Sequence, residues 1–187
     1  MRDRIEDPRL LIRGFRREDA ETLHEAVCES VSEVAPYETW CHEGYSLHEA
    51  EEYVQWWIAA REQGTAYYYA LLDAVNGGFA GACGLSGYSA EHRHAMLGYW
   101  IRSSRTGHGL ATHAARRVCA AGFSDLELIR IDIVVPTTNP ASLRVAEKLG
   151  ARREGVLRSK LVLPDGPADV VAFGLLPEEL ALGGRLP

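Results

Sequence analysis

The sequence predicts one mixed α/β domain over all 187 residues, built on a largely antiparallel sheet with α and β segments partly segregated. Short runs rich in β-branched and aromatic residues, separated by turn residues, predict several strands. Other segments carry apolar residues at helical spacing. A strand, helix and strand occur in succession in the second half, which predicts one parallel pair. The sheet is therefore expected to be mixed.

The composition is that of an ordinary soluble globule, with 47% hydrophobic and 25% charged residues. The net charge of −6 argues against nucleic acid as a partner and suits a cationic substrate better. No apolar run approaches the ~20 residues that span a bilayer, so we expect no membrane partner. The charged start Met1–Pro8 does not resemble a secretory signal, and a cytoplasmic location is expected.

The four cysteines are widely spaced and form no CxxC pair. They are Cys28, Cys41, Cys83 and Cys119. We expect buried reduced thiols rather than disulfides. Cys41 is followed by His42, but a zinc site needs three or four ligands at set spacing, so no metal is expected.

The first elements are a strand and a helix. Leu10–Phe15 reads as the strand, and apolar residues at helical spacing predict a helix over Ala20–Val34 that Pro36 ends. The following loop has no clear period and carries aromatic and acidic groups. We expect its Trp40, His42 and Glu43 to contact a substrate or a partner subunit.

A second helix is marked at both ends. Ser46 and Glu49 form a capping box, and Gly64 stops the helix. Its aromatic residues are interpreted as core. Trp56 or Trp57 facing outward would favour a homodimer.

Three strands then form an antiparallel meander, Tyr67–Asp73, Phe79–Tyr88 and Ala95–Ser103, with an Asn-Gly turn after the first. A helix follows from Leu110, with apolar positions through Gly122. The remaining elements are the strand Ile129–Val135, a helix with Asn139 as N-cap that ends at Gly150, and a hairpin of Arg152–Leu163 and Asp169–Leu176.

The junction between the meander and its helix is basic and glycine-bearing. Gly107 and Gly109 can take positive φ and let the backbone approach a ligand, next to the unpaired N–H groups of a helix start. Arg102 and Arg105 stand just before them. This arrangement favours phosphate binding. An ordinary strand-to-helix turn with solvated arginines explains the loop alone equally well.

Several ordered motifs carry a family resemblance that covers most of the chain. They are Gly98–Ile101 (Gly-Tyr-Trp-Ile), a Gly-x-Gly-x-Ala-Thr loop from Gly107, Asn139-x-x-Ser, Glu147–Gly150 (Glu-Lys-Leu-Gly) and the late strand Asp169–Leu176. Together they resemble the GNAT family of N-acetyltransferases. Within it the sequence is most similar to the RimJ and RimL ribosomal-protein N-terminal acetyltransferases.

The resemblance implies a sheet of about seven strands, splayed between the fourth and fifth, with about four helices and acetyl-coenzyme A in the gap. Backbone groups near Trp100, Ile101 and Arg102 would pair with the pantetheine arm. The pyrophosphate would lie on the loop and first helical turn, at Gly107, His108, Gly109, Leu110, Ala111 and Thr112. Thr106 stands where the family has Gln or Arg, and Arg105 is expected to supply that charge.

For the departing sulfur, many relatives use a Tyr where this chain has Ala146. Ser142 lies one turn earlier, where the RimJ and RimL branch has a Ser, and is the candidate for holding or protonating the coenzyme A sulfur. Asn139 would position the pantetheine arm or Ser142 itself. The alternative is a helix hydroxyl that bonds to the carbonyl one turn back.

A base is harder to assign. Many relatives place a Glu where this chain has Met96, and His94 lies two residues earlier on the same strand face. An imidazole exchanges its proton near neutral pH, so His94 is the candidate. The alternative is a solvated surface histidine.

Two classes of function remain. The first is acetyl transfer from acetyl-coenzyme A to a primary amine, with a protein N-terminal α-amine preferred and a small-molecule amine or antibiotic as the variant. The second is a non-catalytic acyl-coenzyme A-binding regulatory domain, suggested by Met96 and Ala146. Ser142 favours the first. The family builds the acceptor walls from the loop of Trp40, His42 and Glu43 and from the turn of the last hairpin.

Overall fold

One eight-stranded sheet and four helices form the part of the chain that the computed structural model describes, residues 1–180. The strands are β1 (Arg4–Ile5), β2 (Leu10–Gly14), β3 (Tyr67–Asp73), β4 (Phe79–Ser89), β5 (His94–Ile101), β6 (Arg130–Pro136), β7 (Arg152–Leu163) and β8 (Gly166–Leu175). The helices are α1 (Ala20–Val34), α2 (Leu47–Glu62), α3 (Leu110–Asp125) and α4 (Pro140–Leu149). The predicted domain also spans residues 181–187, which lie outside the described part.

The predicted mixed α/β fold is confirmed, with a difference in strand number. The strand order is β1-β2-β3-β4-β5-β6-β8-β7, and all neighbours are antiparallel except β5 and β6. The unpredicted strand is β1, in which Arg4 pairs with Arg13 and Ile5 with Ile12. Two residues are too short a run to show the alternation by which strands are recognised in a sequence.

The parallel strands β5 and β6 separate after a short paired section. They pair only at His94–Arg130, Ala95–Ile131 and Met96–Asp132. Beyond Met96, β5 stays paired with β4 as far as Ile101, while β6 stays paired with β8 as far as Pro136. We call the opening between Leu97–Ile101 and Ile133–Pro136 the fork. The predicted splay is therefore confirmed.

The sheet has a separate core on each face. The α3/α4 face buries Leu85, Leu97 and Ile131 with helical residues such as Val118 and Leu149. The α1/α2 face buries Phe79, Ala82 and Trp100 with α1 and α2. Because successive side chains of a strand point to opposite faces, each residue of β5 beside the fork belongs to one core or the other.

Helix ends follow their predicted caps. The Ser46 hydroxyl accepts from the Glu49 N–H while the Glu49 carboxylate accepts from the Ser46 N–H, which is the predicted capping box. The Asn139 side chain caps α4, and Gly150 ends it with φ +93°. No helix of residues 1–180 combines the length and apolarity needed to cross a bilayer.

Three of the four cysteines are buried as predicted. Cys41, Cys83 and Cys119 lie in the interior, and burial raises the pKa of each thiol. Cys28 is exposed, contrary to prediction, because its position on α1 faces away from the sheet.

Candidate functional site

The fork exposes backbone hydrogen-bonding groups of β5. Arg102 N donates to Ala80 O at 2.9 Å, and antiparallel partners alternate in hydrogen bonding, so Gly98 and Trp100 direct their backbone groups to β4. The intervening residues Leu97, Tyr99 and Ile101 direct theirs toward β6. The pairing of Met96 with Asp132 uses the Leu97 N–H, whereas the Leu97 carbonyl and the groups of Tyr99 and Ile101 lie where β6 has moved away. Peptide groups without a strand partner favour a ligand that can pair with them.

This alternation means that not all of the residues predicted to contact the pantetheine arm through their backbone face the fork. Of Trp100, Ile101 and Arg102, only Ile101 presents its backbone to the fork, while the other two pair with β4. Leu97 and Tyr99 were missed, although both lie in or beside the Gly-Tyr-Trp-Ile motif. The sequence does not show which alternate peptide groups a neighbouring strand occupies.

The glycine loop opens directly onto the start of α3. Gly107 and Gly109 have φ of +78° and +73°, and no atom lies within 4 Å of where either Cβ would be. No side chain caps the helix, and His113 N is bonded to Gly109 O at 3.0 Å. The preceding first-turn amides therefore have no helical carbonyl to bind. Backbone amides and open space make this end of the fork suitable for a diphosphate.

The arginines of the loop are bound to carboxylates. Arg105 forms an ion pair with Asp73 at the end of β3, so the charge predicted for it is already compensated. Arg102 pairs with Glu29 of α1 at 2.6 Å. Thr106 donates its hydroxyl to Ser103 O at 2.9 Å. The loop therefore offers an anion its backbone amides, since these two arginines are already paired.

Helix α1 holds the loop that leads into α3. The strand was predicted to reach Ser103, but β5 ends at Ile101 and Ser103 begins a short 3-10 turn. The Ser103 N–H donates to Ser30 Oγ at 3.0 Å, and the Ser104 N–H donates to Glu29 Oε1 at 2.8 Å. Hydrogen bonds from Ser104, followed by Arg102, lower the pKa of Glu29 to about 2.

On the α3/α4 face a tyrosine links β5 to the start of α4. The Tyr99 hydroxyl lies 2.8 Å from Ser142 Oγ and donates to Ser142 O at 3.2 Å. Asn139 Oδ1 accepts from the Ser142 N–H at 3.0 Å. Burial raises the pKa of Tyr99. Ser142 therefore bonds to β5 beside the fork, and not to a carbonyl one turn back.

His94 lies at the start of β5, before the fork. Its Nδ1 is 3.5 Å from Asp132 Oδ2, and 39% of its side chain is exposed. By strand alternation it shares the α1/α2 face with Met96 and Gly98. At ~3.3 Å per residue it is roughly 10 Å from Leu97, so a water molecule is needed between its ring and a group in the fork.

Trp40 reaches the fork from the loop after α1. Its ring lies 5.2 Å from Tyr53 and 5.6 Å from Trp100 of β5, centroid to centroid. Its indole N–H donates to Glu38 Oε2 at 3.0 Å. Burial raises the pKa of Glu38. Glu38 was not predicted, because the sequence of an irregular loop does not distinguish a half-buried glutamate from a solvated glutamate.

The other two predicted loop residues stay at the start of α2. His42 Nε2 is 2.8 Å from Glu49 Oε1, and its Nδ1 is 2.9 Å from Glu43 O. These hydrogen bonds raise the pKa of His42. Glu43 is exposed. Of the predicted loop residues, Trp40 therefore contacts β5, whereas His42 bonds to Glu49 of the capping box at the start of α2.

The tryptophan pair of α2 divides between surface and core. Trp56 is 59% exposed, whereas Trp57 stacks on Tyr68 with ring centroids 3.8 Å apart.

Among residues 1–180, no cluster of three or more metal-ligating side chains occurs.

Known proteins share this fold and sequence pattern. The Acetyltransferase (GNAT) domain family matches residues 9–152. The uncharacterized N-acetyltransferase YoaA of Bacillus subtilis is 29% identical over 92% of this chain and 96% of its own length.

Solved structures show the same architecture. RimL, a ribosomal alpha-N-protein acetyltransferase in complex with coenzyme A, superimposes with a TM-score of 0.85 at 20% identity, over 91% of this chain and 95% of that one. Mycobacterium smegmatis RimJ, in complex with a coenzyme A disulfide, gives 0.83 at 24% identity, over 92% and 84%. With the family match over most of its length, the chain belongs to the GNAT family and is an acetyltransferase.

Proposed function

We propose that this acetyltransferase moves the acetyl group of acetyl-coenzyme A to a primary amine, with the α-amine of a protein N-terminus as the preferred acceptor. The observation that carries the proposal is the fork, which begins after Met96 and leads directly to the uncapped start of α3. It offers a polar track for an amide-bearing arm and a cradle for phosphate at one end.

The residues present fit acetyl-coenzyme A. The backbone groups of Leu97, Tyr99 and Ile101 would pair with the pantetheine arm. The diphosphate would be held by the loop and the first turn of α3, at Gly107, His108, Gly109, Leu110, Ala111 and Thr112. Bound there, the molecule supplies the acetyl group as a thioester, which needs no metal for activation.

The transfer forms a C–N bond and breaks a C–S bond, while the amine loses a proton and the sulfur gains one. An unpaired N–H of β5 donates to the thioester oxygen and makes its carbon more electrophilic. The Ser142 hydroxyl, hydrogen-bonded to Tyr99, gives the sulfur its proton and regains one from solvent water. His94, oriented by Asp132, takes the amine proton through a water molecule.

Charge and the relatives support the preferred acceptor. RimL is described as an alpha-N-protein acetyltransferase of the ribosome, and its fold is shared throughout. An α-amine with a pKa near ~8 is partly deprotonated at neutral pH, so it needs less help from a base than a lysine. The net charge of −6 favours a basic peptide end over an acidic one.

The test is acetyl transfer from acetyl-coenzyme A to a panel of peptides with free N-termini, N-blocked peptides that carry lysine, and small amines including aminoglycosides. Released thiol and the mass of each acceptor are followed together. We expect transfer to free N-termini at the highest kcat/KM. Transfer only to small amines would change the acceptor class, and binding of acetyl-coenzyme A without transfer to any amine would overturn the proposed function.

A further inference from the structure

Tyr68 crosses two strands along a row of glycines. It lies opposite Gly84 of β4, which lies opposite Gly98 of β5. A Cβ atom at Gly84 would overlap the Tyr68 ring, and one at Gly98 would overlap the Tyr68 hydroxyl. Neither glycine has a positive φ. Space for Tyr68 therefore explains both glycines, for its backbone and ring at Gly84 and for its hydroxyl at Gly98.

The row ends at the closed end of the fork. Gly98 is two residues beyond Met96, the last residue of β5 that pairs with β6. Its missing side chain would point to the α1/α2 face, as Trp100 does. Tyr99 and Ser142 lie on the opposite face. The Tyr68 hydroxyl thus meets the backbone of β5 where the strands part, from the side opposite Ser142.

The ring is fixed in this position. Trp57 stacks on it with an interplanar angle of 17°, and the centroid distance is 3.8 Å. Burial raises the pKa of Tyr68 far above that of a free phenol, so the hydroxyl stays protonated. A protonated phenol has lone pairs that accept a hydrogen bond from an N–H, and one proton to donate.

Glycine within a strand weakens the strand, and this chain has glycine at both positions under one tyrosine. A phenylalanine would stack on Trp57 equally well, and its ring edge would lie 3.1 Å from a Cβ atom at Gly98, whereas the tyrosine hydroxyl overlaps that position. The hydroxyl is the feature that needs the second glycine. The hydroxyl therefore lies at the closed end of the fork without being required for the stacking of the ring.

We propose that the Tyr68 hydroxyl binds the acceptor amine by accepting a hydrogen bond from its N–H, which turns the nitrogen lone pair toward the fork. This inference rests on the proposed function and adds the residue that orients the acceptor. Trp40 and Trp100 border the same side, so an acceptor with a small or apolar residue next to its amine fits the approach.

The test is Tyr68→Phe, which keeps the stacked ring and removes only the hydroxyl. We expect kcat/KM for the peptide amine to fall by about tenfold, the effect of one lost hydrogen bond, while the Kd for acetyl-coenzyme A changes by less than about twofold. The matched control is Tyr67→Phe, since the Tyr67 side chain packs on the α3/α4 face. It should leave both quantities unchanged.

A second variant tests the contact without activity. Gly98→Ala adds the methyl group that overlaps the hydroxyl, so it should lower the Tm of the wild-type protein more than that of Tyr68→Phe. Equal losses in both backgrounds would show that the hydroxyl is not over Gly98, and the inference would fail.

The outcomes separate this inference from the proposed function. If the wild-type protein acetylates amines and Tyr68→Phe does so equally well, Tyr68 does not bind the acceptor and the proposed function stands. A parallel loss of acetyl-coenzyme A affinity would also overturn the inference, because it would place the effect on the other substrate. If the wild-type protein acetylates no amine, both the inference about Tyr68 and the proposed function are overturned.

Discussion

The two faces of the fork are built differently. The α3/α4 face is made of backbone groups and of residues close together in the chain, such as the glycine loop with the first turn of α3, and Asn139 with Ser142. The α1/α2 face is made of side chains from distant segments, which include Trp40, Trp57 and Tyr68. Local backbone motifs suit a constant ligand, and side chains from many segments can vary with a changing one.

The first prediction concerns the backbone face and has the largest expected effect. Gly109→Glu places a negative side chain at a position with φ +73° beside the proposed phosphate cradle. We expect affinity for coenzyme A to fall by at least about 100-fold, with loss of the thermal shift that the ligand gives wild type. Gly77→Glu, at φ +72° in the β3–β4 turn, is the matched control. If Gly109→Glu keeps the shift, phosphate is bound elsewhere.

The second prediction separates chemistry from binding on the same face. Ser142→Ala removes the hydroxyl that lies 2.8 Å from Tyr99, and we expect turnover to fall by about 100-fold with little change in coenzyme A affinity. Ser124→Ala is the control, because its hydroxyl bonds to the Ala121 carbonyl one turn back. Steady-state kinetics measure both. Unchanged turnover would remove Ser142 from the mechanism.

The third prediction tests whether the α1/α2 face supplies a base. His94→Ala should lower kcat/KM by about tenfold near pH 7 and by less at higher pH, where the amine is already deprotonated. A base works in its unprotonated form, so the rising, acidic limb of the pH profile should change. His92→Ala is the control, with its ring 6.2 Å from His94. An unaltered acidic limb would mean that His94 is not the base.

The fourth prediction has the smallest effect and concerns the contact of α1 with the loop. The pKa of Glu29 is lowered from 4.5 to about 2, so its contribution to stability is present above pH 4.5 and is lost as the pH falls toward 2. Glu29→Gln should reduce the unfolding free energy at neutral pH by less than about 1 kcal/mol, because the pair is at the surface.

Unfolding by denaturant at several pH values measures this contribution. The difference between wild type and Glu29→Gln should narrow between pH 4.5 and pH 2. The control is Glu25→Gln, which removes the same charge at an exposed position of α1. A constant difference across this range would mean that the carboxylate does not hold the loop.

Sequence reasoning recovered the backbone face better than the side-chain face. Caps, glycine positions and strand periods are local signals, and they located the loop before α3 and the Asn139 cap, whereas the splay of the strands was expected from the family resemblance. The ion pair of Arg105 with Asp73 escaped, since Asp73 lies on another strand. Tyr68 escaped for the same reason, because its position depends on Gly98, which only the fold brings near. Glu38 escaped although Trp40 is only two residues away, because an irregular loop has no period from which burial can be inferred.

The most direct test of the account is a crystal structure of the protein with coenzyme A. We predict pantetheine density in the fork, between Leu97–Ile101 and Ile133–Pro136, and the diphosphate on the amides from Gly107 to Thr112. Density at another site, or strands β5 and β6 paired beyond Met96 with the fork closed, would contradict the account.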